Sequence, residues 1–308
     1  MKILVTGGAG FVGSNITDAL LKKRHVVVVL DNLSYGKKEN VNKQAKFYKT
    51  DIFDKKAVGD IFKKEKPQIV IHKAAQIDVR KSVADPFFDA EVNILGSINV
   101  LNACVKNKVK KIIFASSGGT IYGESGVSAP DEETKTNPLS PYGIAKNSVE
   151  NYIKFYSTVY GLEYTILRYG NVYGPRQDPR GEAGVIAIFA AKMLRNEDVN
   201  VFGDGKQMRD YVYVIDAVDA NIRALSKGKN QIVNIGASKA VSVNKLVKIM
   251  SEAAGYKKKA IQRPKRAGEL FKSFLNINKA KKVLGWKPEV SIEKGIKKTI
   301  EYFKASGM

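Results

Sequence analysis

The residues best equipped for chemistry lie in "SPYGIAK", where Tyr142 and Lys146 are four apart at a helix start and therefore share one face. A phenol with an ordinary pKa of about 10 is a poor base at neutral pH. A lysine ammonium a few ångströms away favours the phenolate, which can take a proton from an alcohol or sugar hydroxyl. Upstream, "FASSGGTIYG" offers three hydroxyls, Ser116, Ser117 and Thr120, around the pair Gly118 and Gly119. Out of context, a tyrosine and a lysine at this spacing are more often a surface pair. The rest of the chain has to decide.

"VTGGAGFVG" supplies Gly7, Gly10 and Gly13, with Phe11 and Val12 between them, directly after a first strand and before a helix. Close approach of backbone to a pyrophosphate needs residues without Cβ, and the helix N-terminus presents free N–H groups to the phosphates. Asp31 closes the second strand, "VVVVLD", followed by Asn32. A carboxylate there accepts hydrogen bonds from an adenosine ribose and repels a 2′-phosphate, which favours NAD over NADP; the competing reading is a turn former. Asp51, with Ile52 beside it, ends the third strand and is placed either to reach the adenine edge or to cap a turn. This context reverses the preference for Tyr142 and Lys146, because a cationic nicotinamide ring adds to the lysine in favouring the phenolate.

Strand-like and helix-like segments alternate through the first half. "KILVTG", "VVVVLD", "KFYKTD", "QIVIHKAA" and "KKIIFASS" are separated by "GSNITDALLKK", "KAVGDIFKKEK" and "DAEVNILGSINVLNACVKN", whose apolar residues recur at three and four. Continuous β-branched runs mean strands covered on both faces. The expected fold class is α/β: a Rossmann-type doubly wound parallel sheet with a smaller C-terminal substrate-binding α/β region. The rhythm changes after "NVYGPRQDPRGEAG", and "QIVNIGA" reads as a strand that rejoins the first sheet. The expected division is 1–170 plus about 210–236 for NAD, and 171–209 with 237–308 for a nucleotide sugar.

Composition narrows the function classes. The net charge of +22, from 52 Lys+Arg against 30 Asp+Glu, comes from lysines spread over helix faces without aromatic interleaving, so no nucleic-acid partner is expected. A single cysteine, Cys104, cannot form an internal disulfide; it fits a reducing, cytoplasmic setting, and no metal site is expected. No apolar run approaches the length of a membrane span.

Taken together, "TGGAGFVG", "DNLS", "VIHKAAQ", "SSGGTIYGE", "SPYGIAK", "LRYGNVYGPRQ", "VFGDGKQMRDYVYV" and "LGWKP" resemble the extended short-chain dehydrogenase/reductase family, in its UDP-glucose 4-epimerase branch. The resemblance spans essentially the whole chain. It implies tightly bound NAD, oxidation and re-reduction at C4 of a UDP-hexose through a 4-keto intermediate, and no net redox. It implies Tyr142 as base and Lys146 as the residue that binds nicotinamide ribose and lowers the tyrosine pKa. Asn93 matches a cofactor-side asparagine, and Ala74, Ala75 and Gln76 lie along the nicotinamide half. His72 reads as a satisfied core histidine. For the UDP-sugar substrate, Asn171, Arg209 and Arg266 match diphosphate contacts and Phe202 a uracil contact. A homodimer is implied, since relatives pair through two long helices of this sheet.

Two departures sharpen the reading. Many relatives carry the catalytic Ser or Thr four residues before the tyrosine of "YG", and here that position is Gly118. Strand alternation places Ser116 and Thr120 on that face, yet the glycine pair permits angles that break alternation. The expected partner of O4 is Ser117, then Ser116, then Thr120. Dehydratases of nucleotide sugars carry an Asp-Glu pair after that hydroxyl; Gly119 and Thr120 stand there instead. UDP-glucuronate epimerases or decarboxylases and a non-catalytic NAD-sensing or nucleic-acid-binding protein rank lower. Ser273, where relatives have a bulky tyrosine or a small residue near the sugar's C2 substituent, leaves room for N-acetyl sugars.

Overall fold

The computed structural model describes residues 1–124, 126–127, 129–180, 184–265 and 271–307. In chain order the first half runs β1 (Lys2–Thr6), α1 (Phe11–Lys22), β2 (Val26–Asp31), β3 (Lys46–Lys49), α2 (Lys55–Glu65), β4 (Ile69–His72), α3 (Val79–Ala84), α4 (Pro86–Ala90), α5 (Gly96–Lys106), β5 (Lys111–Ser117), α6 (Gly118–Ile121), α7 (Pro141–Tyr160) and β6 (Glu163–Tyr169). The remainder runs β7 (Asn171–Tyr173), α8 (Val185–Leu194), β8 (Asn200–Phe202), β9 (Met208–Tyr213), α9 (Val214–Ala224), β10 (Gln231–Ile235), β11 (Ala240–Ser242), α10 (Val243–Ala254), β12 (Ile261–Arg263), β13 (Lys272–Ser273), α11 (Asn278–Leu284) and α12 (Ile292–Ala305).

Seven parallel strands form the central sheet in the order β10-β6-β5-β4-β1-β2-β3. The chain reverses direction across the sheet between β1 and β4, which opens a crevice at their carboxyl ends. Side-chain alternation sorts the core into two layers. Ile3, Val5, Val27 and Val29 pack with Ile16 and Leu20 of α1 and Ala217 of α9; Leu4, Val28, Val70 and Ile112 pack with Phe62 of α2, Leu101 of α5 and Ile153 of α7. Both faces are dry, which is why these strands read as unbroken apolar runs. Cys104 is buried in the second layer, and burial pushes its thiol up, away from nucleophilic use.

A second sheet has the order β11-β9-β13, with β7 also on β9, and β12 pairs with β8. As the sequence implied, β10 returns to the large sheet, on β6. β9 belongs to the small one. Among the described residues, no helix is long and apolar enough to cross a membrane, and no cluster of three or more metal-ligating side chains occurs.

Candidate active site

The glycine turn after β1 is built by exclusion. A Cβ on Gly13 would overlap the Gly7 carbonyl oxygen, and one on Gly7 would sit 2.6 Å from the Ala74 nitrogen. Turn, helix start and the segment after β4 therefore pack backbone on backbone. No side chain caps α1, which leaves its N-terminus to a ligand. Gly7, Gly10, Phe11, Val12, Gly13, Asp31, Asn32, Asp51, Ile52, Ala74, Ala75 and Gln76 all line one cleft of about 320 Å³. The buried Asp31 carboxylate accepts from Ala9 N at 2.9 Å and Leu33 N at 2.8 Å. It thus organises both loops at the adenosine end, so the turn-former reading of Asp31 is true alongside any ribose contact. Asp51 accepts from Phe53 N at 2.9 Å and from Asn32 Nδ2 at 2.7 Å. An uncapped helix, a Cβ-free cradle and a strand-end carboxylate in one cleft fit a dinucleotide.

Asn93 does not line the cleft. It is buried, accepts from Gln76 N at 2.9 Å and donates to Gln76 O at 3.0 Å and to Asp89 Oδ1 at 2.9 Å. A single π-helical segment, Glu91–Leu95, delivers it there. Asn93 shapes the wall that Gln76 presents. His72 is satisfied on both sides, by Thr6 Oγ1 at 2.6 Å and Ser97 Oγ at 2.9 Å, and burial pushes it down to about 3.

Tyr142 and Lys146 occupy the first turns of α7, capped by Ser140, whose hydroxyl accepts from Gly143 N at 3.2 Å. Lys146 is buried, with Nζ 5.0 Å from the Phe114 ring centre and 5.5 Å from that of Tyr142. Burial lowers the lysine to about 8 against the pull of Asp89. Burial, and then Asp89, raise the Tyr142 phenol well above its ordinary range. In the protein alone burial outweighs Lys146 at this phenol, and the cationic ring that the sequence reading counts beside the lysine would act in the same sense as Lys146. The Glu150 carboxylate, two turns beyond Tyr142, anchors the helix. It pairs with Arg168 at 2.6 Å and 2.9 Å and accepts from Ser116 Oγ at 2.5 Å.

That last bond removes Ser116 from the candidates for O4. It is buried and committed to Glu150. Ser117 ends β5, and its hydroxyl makes no capping bond to α6. A Cβ on Gly119 would lie 3.9 Å from Asn171 Oδ1 and 4.0 Å from Ser117 Oγ, so both side chains converge on the same space. Thr120 Oγ1 is buried without a partner among the described residues. Gly118 has a different reason from the one sequence supplied: its Cβ would meet Leu275 Cδ1 at 2.6 Å, so Leu275 fills the space a hydroxyl residue would occupy.

A second cavity, about 330 Å³, is bordered by Gly118, Gly119, Tyr122 and Ser273. Sheet register sets Ser273 beside Arg209. Phe202, half-buried, pairs with Arg263 and lines neither cavity. Arg266 lies outside the described residues.

The model of the NAD dependent epimerase/dehydratase family matches residues 3–236. The chain belongs to that family. It is 51% identical over 98% of both chains to a putative UDP-glucose 4-epimerase of Methanocaldococcus jannaschii. Among solved structures, UDP-glucose 4-epimerase of Thermotoga maritima, determined with UDP-glucose, superposes with a TM-score of 0.99 at 51% identity, covering 100% of both chains. That of Thermus thermophilus, in complex with NAD, gives 0.95 at 43%, covering 99% of this chain and 100% of that one.

In this family member, sequence reasoning missed the cations around the cleft: Lys37, Lys73, Lys81, Arg176 and Arg180. The arginines were visible as an Arg-rich loop after β7. Lys73 was visible as the charged residue directly after an apolar strand.

Proposed function

We propose that the chain is an NAD-dependent UDP-hexose 4-epimerase, acting on UDP-glucose and UDP-galactose. The observation that carries this is Tyr142 with Lys146 on one face of α7 in a chain whose glycine turn, Asp31 and Ala74–Gln76 line one cleft, while Gly119 and Thr120 stand where elimination chemistry needs an acid and a base. The likeness to a UDP-glucose-bound 4-epimerase supports the substrate class. When bound, NAD supplies reversible oxidation at C4, so no net redox occurs. Tyr142 takes the O4 proton and returns it; Lys146 stabilises the phenolate and binds the nicotinamide ribose. Ser117 hydrogen-bonds O4. Asn171, Arg209 and Arg266 neutralise the UDP diphosphate, and Phe202 contacts uracil.

In this proposal residues 1–170 and about 210–236 hold the cofactor, and 171–209 with 237–308 the nucleotide sugar. The chain acts as a homodimer in the cytoplasm, without a nucleic-acid partner; exposed Phe155, Val159 and Tyr160 on α7 supply an apolar face for pairing. Incubation of the purified chain with UDP-galactose, without added cofactor, gives UDP-glucose and no accumulating NADH. A 4-keto-6-deoxy product would overturn the reading.

Two variants resolve the sugar end. Ser117→Ala lowers kcat by about 10²-fold with NAD content unchanged; wild-type turnover would pass the role to Thr120. Ser273→Tyr lowers kcat/KM for UDP-GlcNAc relative to UDP-galactose by about tenfold or more. An unchanged ratio would mean that Ser273 does not gate the C2 substituent.

A further inference from the structure

The small sheet is tied to the large one by a buried carboxylate that the proposed reaction does not use. Asp210 is the third residue of β9, directly after Arg209, and is 1% exposed. Its Oδ1 accepts from Ala237 N at 2.6 Å and its Oδ2 from Ser238 N at 3.2 Å, in the turn by which the chain leaves β10 of the large sheet. Oδ2 also accepts from Leu275 N at 3.1 Å, two residues beyond β13. Three N–H groups from two distant segments thus converge on one carboxylate. Glycines clear the space around it: a Cβ on Gly236 would overlap Asp210 Oδ2, and one on Gly170, directly after β6, would lie 3.0 Å from Asp210 O. Burial raises the carboxyl to about 6 against the pull of those N–H groups, so at neutral pH it is the ionised form that holds them.

The segment held through Leu275 borders the second cavity. Ser273 pairs in register with Arg209, and Lys272, Ser273 and Phe274 line the cavity together with Gly118 and Gly119. Leu275 turns its side chain to Gly118, where an added Cβ would lie 2.6 Å from Cδ1 and 2.9 Å from Cδ2. β13 is only two residues long, too short for its ladder alone to fix the segment. Asp210 therefore joins β9, the cavity wall and the end of β10 at a single point. A buried carboxylate is tolerated where N–H groups satisfy it, and an amide in its place turns a donor toward at least one of them.

We propose that Asp210 is a positioning residue for the nucleotide sugar: by gathering Ala237, Ser238 and Leu275 it sets the wall of Ser273 and Leu275 against the end of β5 that carries Ser117. This rests on reading the Ser117 side of the second cavity as the sugar site. Asp210 lines neither cavity, so it acts through Leu275 and Ser273. Its loss loosens the wall that receives the sugar and removes no group that reacts.

The test compares full-length wild type with Asp210→Asn in initial rates with UDP-galactose and in NAD released on denaturation. Asp210→Asn raises KM by about tenfold or more, while kcat stays within about threefold and NAD content is unchanged. Gly236→Ala, which keeps the charge but displaces the carboxylate, shifts KM in the same direction. A role confined to stability would lower the melting temperature and leave KM alone. KM within about twofold of wild type in folded Asp210→Asn, or a fall in kcat as large as the rise in KM, would overturn the proposal. Should neither variant fold, amide exchange of wild type decides: the Leu275 N–H is protected without any nucleotide sugar, and protection that appears only with UDP-galactose would mean that the sugar, not Asp210, seats the segment. Wild type that turns over no UDP-hexose would instead sink the epimerase reading, and the exchange measurement would still judge Asp210.

Discussion

Tyr142→Phe lowers kcat by about 10²–10⁴-fold while the chain keeps its cofactor and its melting temperature. The change deletes one oxygen and nothing else. The ring still packs near Lys146, whose Nζ lies 5.5 Å from its centre, and the bond that ties this turn to α3, Tyr142 N to Ser82 Oγ at 3.2 Å, is a backbone bond that the variant retains. What is lost is the phenol on the lysine's helix face. Of the neighbouring groups, Ser116 is committed to Glu150 and cannot replace it. Initial rates with UDP-galactose, together with NAD released on denaturation, check the prediction. A variant retaining more than about a tenth of wild-type kcat would place the base elsewhere.

How much of this was legible in the sequence follows from the range of the interactions involved. The cleft was readable because its parts are local: glycines spaced within one turn, and an acid at the end of the next strand. The parallel sheet was readable because strands dry on both faces must be continuously apolar, and the return of β10 showed in its own apolar run. The helix expected over "DAEVNILGSINVLNACVKN" runs unbroken from α4 into α5, but with a π segment, Glu91–Leu95, in its course. Its apolar spacing could not reveal that, because the cause is a polar one: Asn93 turned inward to bond Gln76 and Asp89. Gly118 was misread for a similar reason. Its local neighbours suggest freedom of the backbone, whereas the constraint is Leu275, brought in from far along the chain. The choice among Ser116, Ser117 and Thr120 likewise turned on Glu150 and Arg168, a buried pair assembled from α7 and β6. Lys73 went unnoticed because its partners, Tyr169 and Asn221, sit on later elements.

The same contrast between local and distant constraint predicts the largest effect on cofactor binding, at Gly13. Its added Cβ would overlap the Gly7 carbonyl oxygen and come 2.9 Å from the Gly8 Cα, both backbone groups with no rotamer to give way. Gly7 cannot retreat, since it already abuts the backbone of Lys73 and Ala74 at the end of β4. The helix cannot back off cheaply either, because Ile16 and Leu20 of α1 are fully buried in the core layer shared with β1 and α9. Gly13→Ala must therefore open the turn or tilt α1, and either movement spoils the cradle of N–H groups. The expected outcome is a loss of NAD affinity of about 10²-fold or more, with a stability cost of about 1–3 kcal/mol typical of overpacking. Gly10→Ala is the matched comparison: its Cβ would meet only the Gly7 oxygen, at 3.3 Å, which a shift of a few tenths of an ångström relieves. Thermal melts of the nucleotide-free chains should separate the two variants, with Gly10→Ala close to wild type and Gly13→Ala lower. Equal melting temperatures and wild-type NAD affinity in Gly13→Ala would show that the turn and α1 move independently, and the backbone-on-backbone account of the cleft would have to be abandoned.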